Sequence, residues 1–419
     1  MITKNKVFTF ILLLYFSLIA GLYYGEDSLG AAFTDYKALK YLNEKFHNDF
    51  LFSLLNYNDL GHRQSPFFFI LSSLIFDFGE LAKRIFFVHI YLLIPIYFYK
   101  CLKIKFKDVS KDYLKLFASI ILLFPTFRSY SIWPDPHLLG TLFFIVSIFY
   151  YLKMTTNVRP FKNSLLNTFF LSLAAYSSPN FGVFVIYFYL EFSKKFFFSK
   201  KILAISLLNI ILSLLFFLYL FYLDVNFIFN NEAHDLNYNF FSLENLSNKL
   251  IIIISIILFY LFPFILTSLN LNKVSFDFSK LSVRFIFTTL IFLFIIYFFD
   301  FSTSYEYTNS GGGFFYNLSN LLFQNNIILF IISYFTYLYL LKNFRFSTSN
   351  SMLFLCLILS HPQLTLWQAN FSPTILFLVL LLFKDVINKN NLNLKTLIIS
   401  YLYFSIYLIS NIMIRNILI

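Results

Sequence analysis

The amino-acid sequence predicts an all-α fold, a polytopic bundle of transmembrane helices, and three observations support this. Hydrophobic residues make up 59% of the 419-residue chain, and charged residues make up only 12%. The mean hydropathy of +0.73 is far above that of ordinary soluble domains. Apolar runs of the length that crosses a bilayer, about 20 residues, recur from Val7 to Met413. We therefore expect residues 1–419 to form a single integral membrane domain.

About 11–13 of these apolar runs are predicted to span the membrane. In chain order they lie near 7–24, 85–101, 114–127, 138–152, 164–178, 181–193, 202–223, 249–270, 285–300, 326–342, 351–362, 373–384 and 396–413. The first run has a basic start like that of a signal peptide. It lacks a small-residue cleavage site, so we interpret it as a retained span.

The distribution of basic residues predicts the orientation. With a cytoplasmic N-terminus and alternating spans, 23 of the 32 Lys and Arg residues lie on the inner side or at inner span ends. This asymmetry follows the positive-inside rule and explains the net charge of +12 without a nucleic-acid partner. The predicted location is the bacterial inner membrane.

One large extracytoplasmic loop is predicted over residues 25–84. The apolar run 65–79 reaches only about 20 Å as a helix, which is short of a hydrocarbon core of about 30 Å. We therefore place this run at the outer interface, as one of several interfacial helices. The loop then holds 8 of the 20 acidic residues, and this concentration of polar side chains predicts that the protein works at its outer face.

Four stretches within residues 1–195 carry a family resemblance. They are "TDYKALKYL", an acid that leads an amphipathic helix; "GHRQSPFFFIL", a His-Pro helix start; "FRSYSIWPDPHLLGTLFFIVSIFYYLK", an Arg before an acid and a span; and "SSPNFGVFVIYFYLEF", a Pro-Asn turn. Their order and predicted side of the membrane resemble the C-type (GT-C) membrane glycosyltransferases. That group includes mannosyltransferase, aminoarabinose-transferase and oligosaccharyltransferase-like enzymes. Residues 196–419 are expected to be variable transmembrane helices.

The resemblance implies transfer of a sugar from a polyprenyl-phosphate donor, with inversion, to a lipid, glycan or protein acceptor at the outer face. Such an enzyme would serve cell-envelope polysaccharide biosynthesis. Two alternatives stay open: a polysaccharide or O-antigen polymerase or ligase, and a non-enzymatic flippase or transporter of lipid-linked glycans.

Asp35 is the predicted catalytic residue. Transfer to a hydroxyl needs a carboxylate that accepts the proton as the attack develops, and Asp35 begins the predicted interfacial helix. The alternative is structural, because Thr34 can cap this helix while Asp35 favours the positive end of its dipole.

A divalent metal, Mg or Mn, is the one cofactor considered, with Asp135 and Asp27 as oxygen ligands. Glu26 and Asp27 could also serve as the base, and a solvated span end is the favoured interpretation of the pair. Asp135 in "WPDPH" can equally belong to a proline-rich turn. Arg128 is predicted to bind the carrier phosphate through its guanidinium fork, and snorkelling to lipid headgroups is the alternative.

The histidines complete the set of candidates. His62 and the adjacent Arg63 are predicted to neutralise the carrier phosphate or to bind headgroups. His137, beside Asp135, and His361, in a late outer loop, are predicted substrate contacts. His89 lies inside a span, and a hydrogen-bonded packing role is favoured for it over catalysis.

Overall fold

A computed structural model of the chain describes residues 4–32, 35–60, 65–197, 199–222, 242–268, 283–301, 311–343, 347–361 and 366–418. The secondary structure in these ranges is helical throughout and contains no strand, which confirms the predicted all-α class. Six helices in these ranges are long and apolar enough to cross a membrane: Asn5–Tyr24, Glu80–Lys105, Pro136–Thr155, Lys200–Leu218, Leu243–Thr267 and Leu394–Ile414. They are compatible with a multi-pass membrane protein, whereas the total number of spans and their orientation stay predictions.

The chain forms two compact units. The first comprises Met1–Asp235 with Ser400–Ile419, and the second comprises Leu236–Ile399. The first unit thus extends past residue 195, where the sequence suggested a division. The helix that follows residue 195 packs in this unit through hydrogen bonds from Tyr176 to Leu212 and between the hydroxyls of Tyr189 and Ser206.

Twelve α-helices before residue 236 build the first unit, among the residues described there. They are α1 (Lys4–Tyr24), α2 (Asp35–Asn48), α3 (Phe50–Leu55), α4 (Phe67–Ser73), α5 (Glu80–Tyr91), α6 (Leu93–Lys105), α7 (Lys111–Ser119), α8 (Pro125–Ile132), α9 (Pro136–Thr155), α10 (Pro160–Ser177), α11 (Phe184–Phe196) and α12 (Lys200–Tyr222).

The second unit contains α13 (Leu243–Ser268), α14 (Val283–Tyr297), α15 (Gly313–Phe323), α16 (Ile327–Asn343), α17 (Thr348–Leu359), α18 (Gln368–Phe371) and α19 (Thr374–Phe377), the last of which continues into a π-helical turn at Leu378–Leu382. The final helix, α20 (Leu394–Leu418), begins in the second unit and continues in the first.

The predicted span 114–127 is not a continuous helix. It comprises α7, a 3₁₀ turn at Ile120–Leu123 and the start of α8. The break has a local cause, because Phe124 precedes Pro125 and is extended, with φ −74° and ψ 124°, and proline disfavours the helical conformation in the residue before it. Pro125 then begins α8 at a position where its missing N–H costs no hydrogen bond.

The region 25–84 contains the short helices α2, α3 and α4. Helix α4 has seven residues and is therefore about 10 Å long, too short to cross a bilayer. This length agrees with the expectation that the run 65–79 does not cross, and its placement at the outer interface stays a prediction.

Candidate functional site

Asp35 is the first residue of α2. Its backbone is described, but its side chain and residues 33–34 are not. His62 and Arg63 also lie outside the described residues. The predicted roles of these three residues stay predictions. The candidate site comprises the described side chains that surround the start of α2.

Helix α2 packs its apolar stripe into the first unit. Tyr36, Leu39, Leu42 and Phe46 are all buried, and their spacing places them on one side of the helix. The Phe46 ring lies 6.2 Å from that of Phe69 in α4 and is stacked on it. The helix that begins with Asp35 is therefore held against the core along its whole length.

The turn before α2 is built around the carboxylate of Asp27. One oxygen, Oδ1, accepts hydrogen bonds from the backbone N–H groups of Gly30 and Ala31, both at 2.8 Å, and from the Ser129 hydroxyl at 2.8 Å. The other, Oδ2, accepts from the N–H of Ala32 at 2.9 Å. Consecutive N–H groups in a turn form a concave anion site, and here the anion is a side chain of the same loop.

Glu26 and Arg128 form a bidentate ion pair. Arg128 Nε donates to Glu26 Oε1 at 2.6 Å, and Nη2 contacts Oε2. Nη1 and Nη2 also donate to the hydroxyl and the carbonyl of Ser17 in α1, both at 2.9 Å. Four of the five N–H donors of a guanidinium are thereby used, so in this structure Arg128 connects Glu26 to Ser17 of α1. Its predicted phosphate contact would require the ion pair to open.

The indole of Trp133 connects the start of α2 to α5. Trp133 Nε1 donates to the Glu26 carbonyl at 2.9 Å, and its ring lies 5.3 Å from the ring of Tyr36. The guanidinium of Arg84 lies 3.7 Å from the centroid of the indole, in cation–π geometry. Burial among these groups raises the pKa of Tyr36 above its ordinary range, so its hydroxyl is neutral at physiological pH.

Arg84 and its neighbour Lys83 are buried cations, with exposures of 9% and 4%. Arg84 Nε donates to the Ile132 carbonyl at 2.7 Å. The Lys83 ammonium lies 4.9 Å from the centroid of the Phe76 ring. Among the described side chains, no carboxylate lies within ion-pair distance of either cation.

Nearby, Lys40 of α2 pairs with Glu80 at 2.8 Å. This contact with Glu80 raises the pKa of Lys40. We call Lys40, Glu80, Lys83, Arg84 and Trp133 the cationic cluster. Three of its members are positive and one is negative, so the cluster carries a net positive charge at the side of α2 that carries Tyr36.

Asp135 and His137 have structural contacts at the start of α9. Asp135 caps this helix, because its Oδ1 accepts the backbone N–H of His137 at 2.7 Å, and Pro136 occupies the first helical position. His137 Nδ1 lies 3.3 Å from the Ser178 hydroxyl, and its ring stacks on Phe181. The predicted substrate contacts of both residues stay predictions.

The two predicted metal ligands are engaged by the protein itself. Both oxygens of Asp27 and Oδ1 of Asp135 accept N–H groups. The described part of the chain holds no group of three or more His, Cys, Asp or Glu side chains arranged around a common metal position. Asp27 therefore does not fit the role of a metal ligand, because both of its oxygens already accept hydrogen bonds from the protein.

His361 lies in the second unit, where it is buried and its ring lies 4.3 Å from that of Phe371. In the same unit the glycine segment Gly311–Gly313 has φ angles of 90°, 76° and 80°, which glycine adopts readily. The N–H of Gly312 donates to the Leu366 carbonyl at 2.7 Å. This segment is therefore tied to the residues just before α18.

His89 is hydrogen-bonded, as the sequence favours, although it is exposed and not part of the core. Its Nε2 lies 3.0 Å from the Tyr15 hydroxyl in α1, and its Nδ1 lies 2.7 Å from the Ile85 carbonyl. The imidazole thus joins α1 to α5.

Lys83 and Arg84 are the site residues that the sequence reading missed. They lie at the boundary between the predicted loop 25–84 and the predicted span 85–101, where a basic residue is normally interpreted as a headgroup contact. The available signal was the pair "KR" directly before an apolar run, and that pattern alone does not indicate burial.

No protein-family model, no curated protein and no solved structure is significantly similar to this chain.

Proposed function

We propose that this chain is an integral membrane glycosyltransferase that moves a sugar from a polyprenyl-phosphate donor to a hydroxyl of a lipid, glycan or protein acceptor at the outer face. One observation carries the proposal. Lys83 and Arg84 are buried with no carboxylate in ion-pair contact among the described side chains, although Glu80 offsets part of their charge through space. Arg84 also shares the Trp133 indole with the first turn of α2. A buried cation is unfavourable unless an anion offsets its charge. A carrier phosphate would supply that anion beside Asp35.

The proposed reaction is an in-line displacement. Asp35 accepts the proton of the acceptor hydroxyl, and the acceptor oxygen forms a bond to the anomeric carbon. The bond between that carbon and the phosphate oxygen breaks, and polyprenyl phosphate leaves with the electron pair. Lys83 and Arg84 stabilise the negative charge on the departing phosphate.

A groove on the outward surface of α5 supports a lipid-linked substrate. It has a volume of about 600 Å³ and is lined by Ala82, Ile85, Phe86, His89, Ile90 and Leu93. These residues recur at intervals of one and three or four, so they form a stripe along one side of the helix. Lys83 and Arg84 are buried on a different side of α5 from this exposed stripe, so a carrier with its phosphate at the cationic cluster would pass its apolar chain around the helix to reach the groove.

Binding requires the cationic cluster to open, because Lys83 and Arg84 have little exposed surface. We expect the exposed contact between Lys40 and Glu80 to break, since exposed ion pairs contribute at most about 1 kcal/mol, while the buried apolar stripe keeps α2 packed on the first unit.

Binding of polyprenyl phosphate to the purified protein tests the proposal. We expect Arg84→Gln and Lys83→Met each to weaken binding about 10-fold or more, since a charge-assisted contact contributes about 1.5–3 kcal/mol. Binding of the uncharged polyprenol should change less than about 2-fold, because it lacks the phosphate that these cations would contact.

Lys45→Gln is the matched control, because Lys45 is an exposed cation of α2 that lies over the Tyr41 ring. Equal affinities of all three variants and the native protein would contradict the proposal. Sugar transfer from a panel of polyprenyl-phosphate sugars then identifies the donor.

A further inference from the structure

The carboxylate of Asp27 is used entirely inside the protein. It accepts the three consecutive N–H groups of residues 30–32 and the hydroxyl of Ser129 in α8. Hydrogen bonds to an ionised acceptor are about twice as strong as neutral ones. Gly30 adopts a φ of 83°, which lets the chain turn so that these N–H groups converge.

This turn is connected to the first residues of α2. The Ala31 carbonyl accepts the N–H of Tyr36 at 2.9 Å, and the Tyr36 ring lies against Trp133. Trp133 in turn donates to the carbonyl of Glu26, the residue before Asp27. Residue 35 thus lies in the chain between Ala32 and Tyr36. Ala32 donates a hydrogen bond to Asp27, which also accepts one from Ser129 of α8. The Tyr36 ring packs against Trp133.

We propose that Asp27 is a positioning residue that fixes the turn 27–32 and, through the N–H of Tyr36, the start of helix α2, which carries Asp35; this rests on the proposed function, in which Asp35 is the base. Asp27 acts through the backbone and does not contact the substrate. The role differs from metal binding, because the oxygens that a cation would need already accept N–H and O–H groups.

The expected effect on catalysis follows from geometry. A base displaced by about 1 Å lowers the rate about 100-fold. We expect kcat to fall about 100-fold in Asp27→Ala, where all four hydrogen bonds are lost. In Asp27→Asn the fall should be about 10-fold, because the amide oxygen still accepts while the amide nitrogen cannot accept from Ala32. KM for the donor should change less than about 3-fold, since the phosphate contacts are elsewhere.

Asp49→Ala is the matched control. Asp49 also accepts a backbone N–H, that of Phe52 at 3.0 Å, and caps the short helix α3. Its loss removes a carboxylate that also accepts a backbone N–H, and the hydrogen bonds of Asp49, with Lys45, Phe52 and Ser53, lie at the opposite end of α2 from residues 30–36. We expect kcat and KM of Asp49→Ala to stay within about 2-fold of native, because a lost cap affects helix stability and not the placement of Asp35.

Hydrogen–deuterium exchange of the full-length protein in detergent or nanodiscs supplies a readout that needs no enzyme activity. The amides of residues 30–32 and 36 should exchange faster in Asp27→Ala and Asp27→Asn than in native protein, and they should be unchanged in Asp49→Ala. Unchanged exchange at these amides in both Asp27 variants would overturn the proposal. Faster exchange with native kcat, or a raised KM with native kcat, would overturn it as well.

The two proposals fail in different ways. If the native protein transfers no sugar from any polyprenyl-phosphate donor, the proposed function fails. Exchange at residues 30–32 then decides alone whether Asp27 holds this turn.

Discussion

Arg128 and Glu26, which are 102 residues apart in the sequence, form a buried bidentate ion pair whose side chains are 3% and 11% exposed. The pair ties the segment that follows α1 to α8, and the hydrogen bonds of Arg128 to Ser17 extend the contact into α1 itself. Because α8 also carries Ser129, the same contact supports the turn that leads to Asp35.

Substitution of one partner of this ion pair should strongly destabilise the fold. We expect Arg128→Gln to lower the free energy of unfolding by about 3–5 kcal/mol, because Glu26 would be left as an uncompensated buried charge. The double variant Arg128→Leu, Glu26→Leu should lose less than the single variant does. Unfolding in mixed micelles measures both, and Lys115→Met is the control.

Lys115 pairs with Asp112 at 3.0 Å, and their side chains are 35% and 30% exposed, so loss of this pair should cost about 0–1 kcal/mol. An equally small decrease in the free energy of unfolding for Arg128→Gln would show that the buried pair stabilises the fold no more than a partly exposed pair does.

Gly21 is required by the same ion pair. A Cβ atom at this position would overlap Oε2 of Glu26 and lie 2.9 Å from Arg128 Nη2. We expect Gly21→Ala to cost about 1–3 kcal/mol through overpacking, even though alanine favours helix more than glycine does.

A double-mutant cycle isolates the cause of that cost. In the Glu26→Ala background the clash with the carboxylate is gone, so Gly21→Ala should cost much less than it does in the native background. Equal costs in the two backgrounds would assign the effect to something other than the Glu26 carboxylate.

Opening of the cationic cluster can be tested by tethering α2 to α5. In the variant Lys40→Cys, Glu80→Cys, a short reducible bis-methanethiosulfonate linker should block binding of polyprenyl phosphate, and reduction should restore it. Cys101 and Cys356 are buried and should not react. Each single-cysteine variant treated with the same reagent is the control, and unimpaired binding in the tethered protein would refute the required movement.

The stability of the α2 contact should depend on alkaline pH through Tyr36. Burial raises the pKa of Tyr36 in the folded protein above its unfolded value, so the neutral hydroxyl stabilises the fold below the unfolded pKa of about 10. As pH rises past that value, the unfolded state ionises first and stability falls. The free energy of unfolding should therefore fall less between pH 9 and pH 11 in Tyr36→Phe than in native protein. Identical pH dependence would show that Tyr36 is not buried in this way.

The helices could be predicted from the sequence wherever apolar residues recur with the period of a helix. The amphipathic pattern of "TDYKALKYL" predicted a helix that Asp35 leads, and the structure confirms a helix at Asp35–Asn48. The burial of its apolar stripe against protein was not predicted. The apolar run 114–127 was harder, because hydropathy does not register the extended residue that Pro125 imposes on Phe124.

The contacts of the candidate site could not be predicted from the sequence, because they join residues that are far apart in the chain. Arg128 was predicted to contact the carrier phosphate, and its pairing with Glu26 depends on how α1 and α8 pack. Asp27 was singled out for its charge, and its partners are backbone N–H groups, which have no signature in the sequence. Lys83 and Arg84 have ordinary positions at a span boundary, and only the packing of Phe76 and Trp133 shows that they are buried.

The most direct test of the central claim is the rate of polyprenyl-phosphate release from a matched donor and acceptor, measured for native protein and Asp35→Asn in the same nanodiscs. The account predicts that the native protein releases the carrier and forms a glycosylated acceptor. It predicts that Asp35→Asn is about 10²- to 10⁴-fold slower while it binds polyprenyl phosphate with native affinity. Equal rates in the two proteins, or movement of the intact donor across the bilayer with no release, would contradict it.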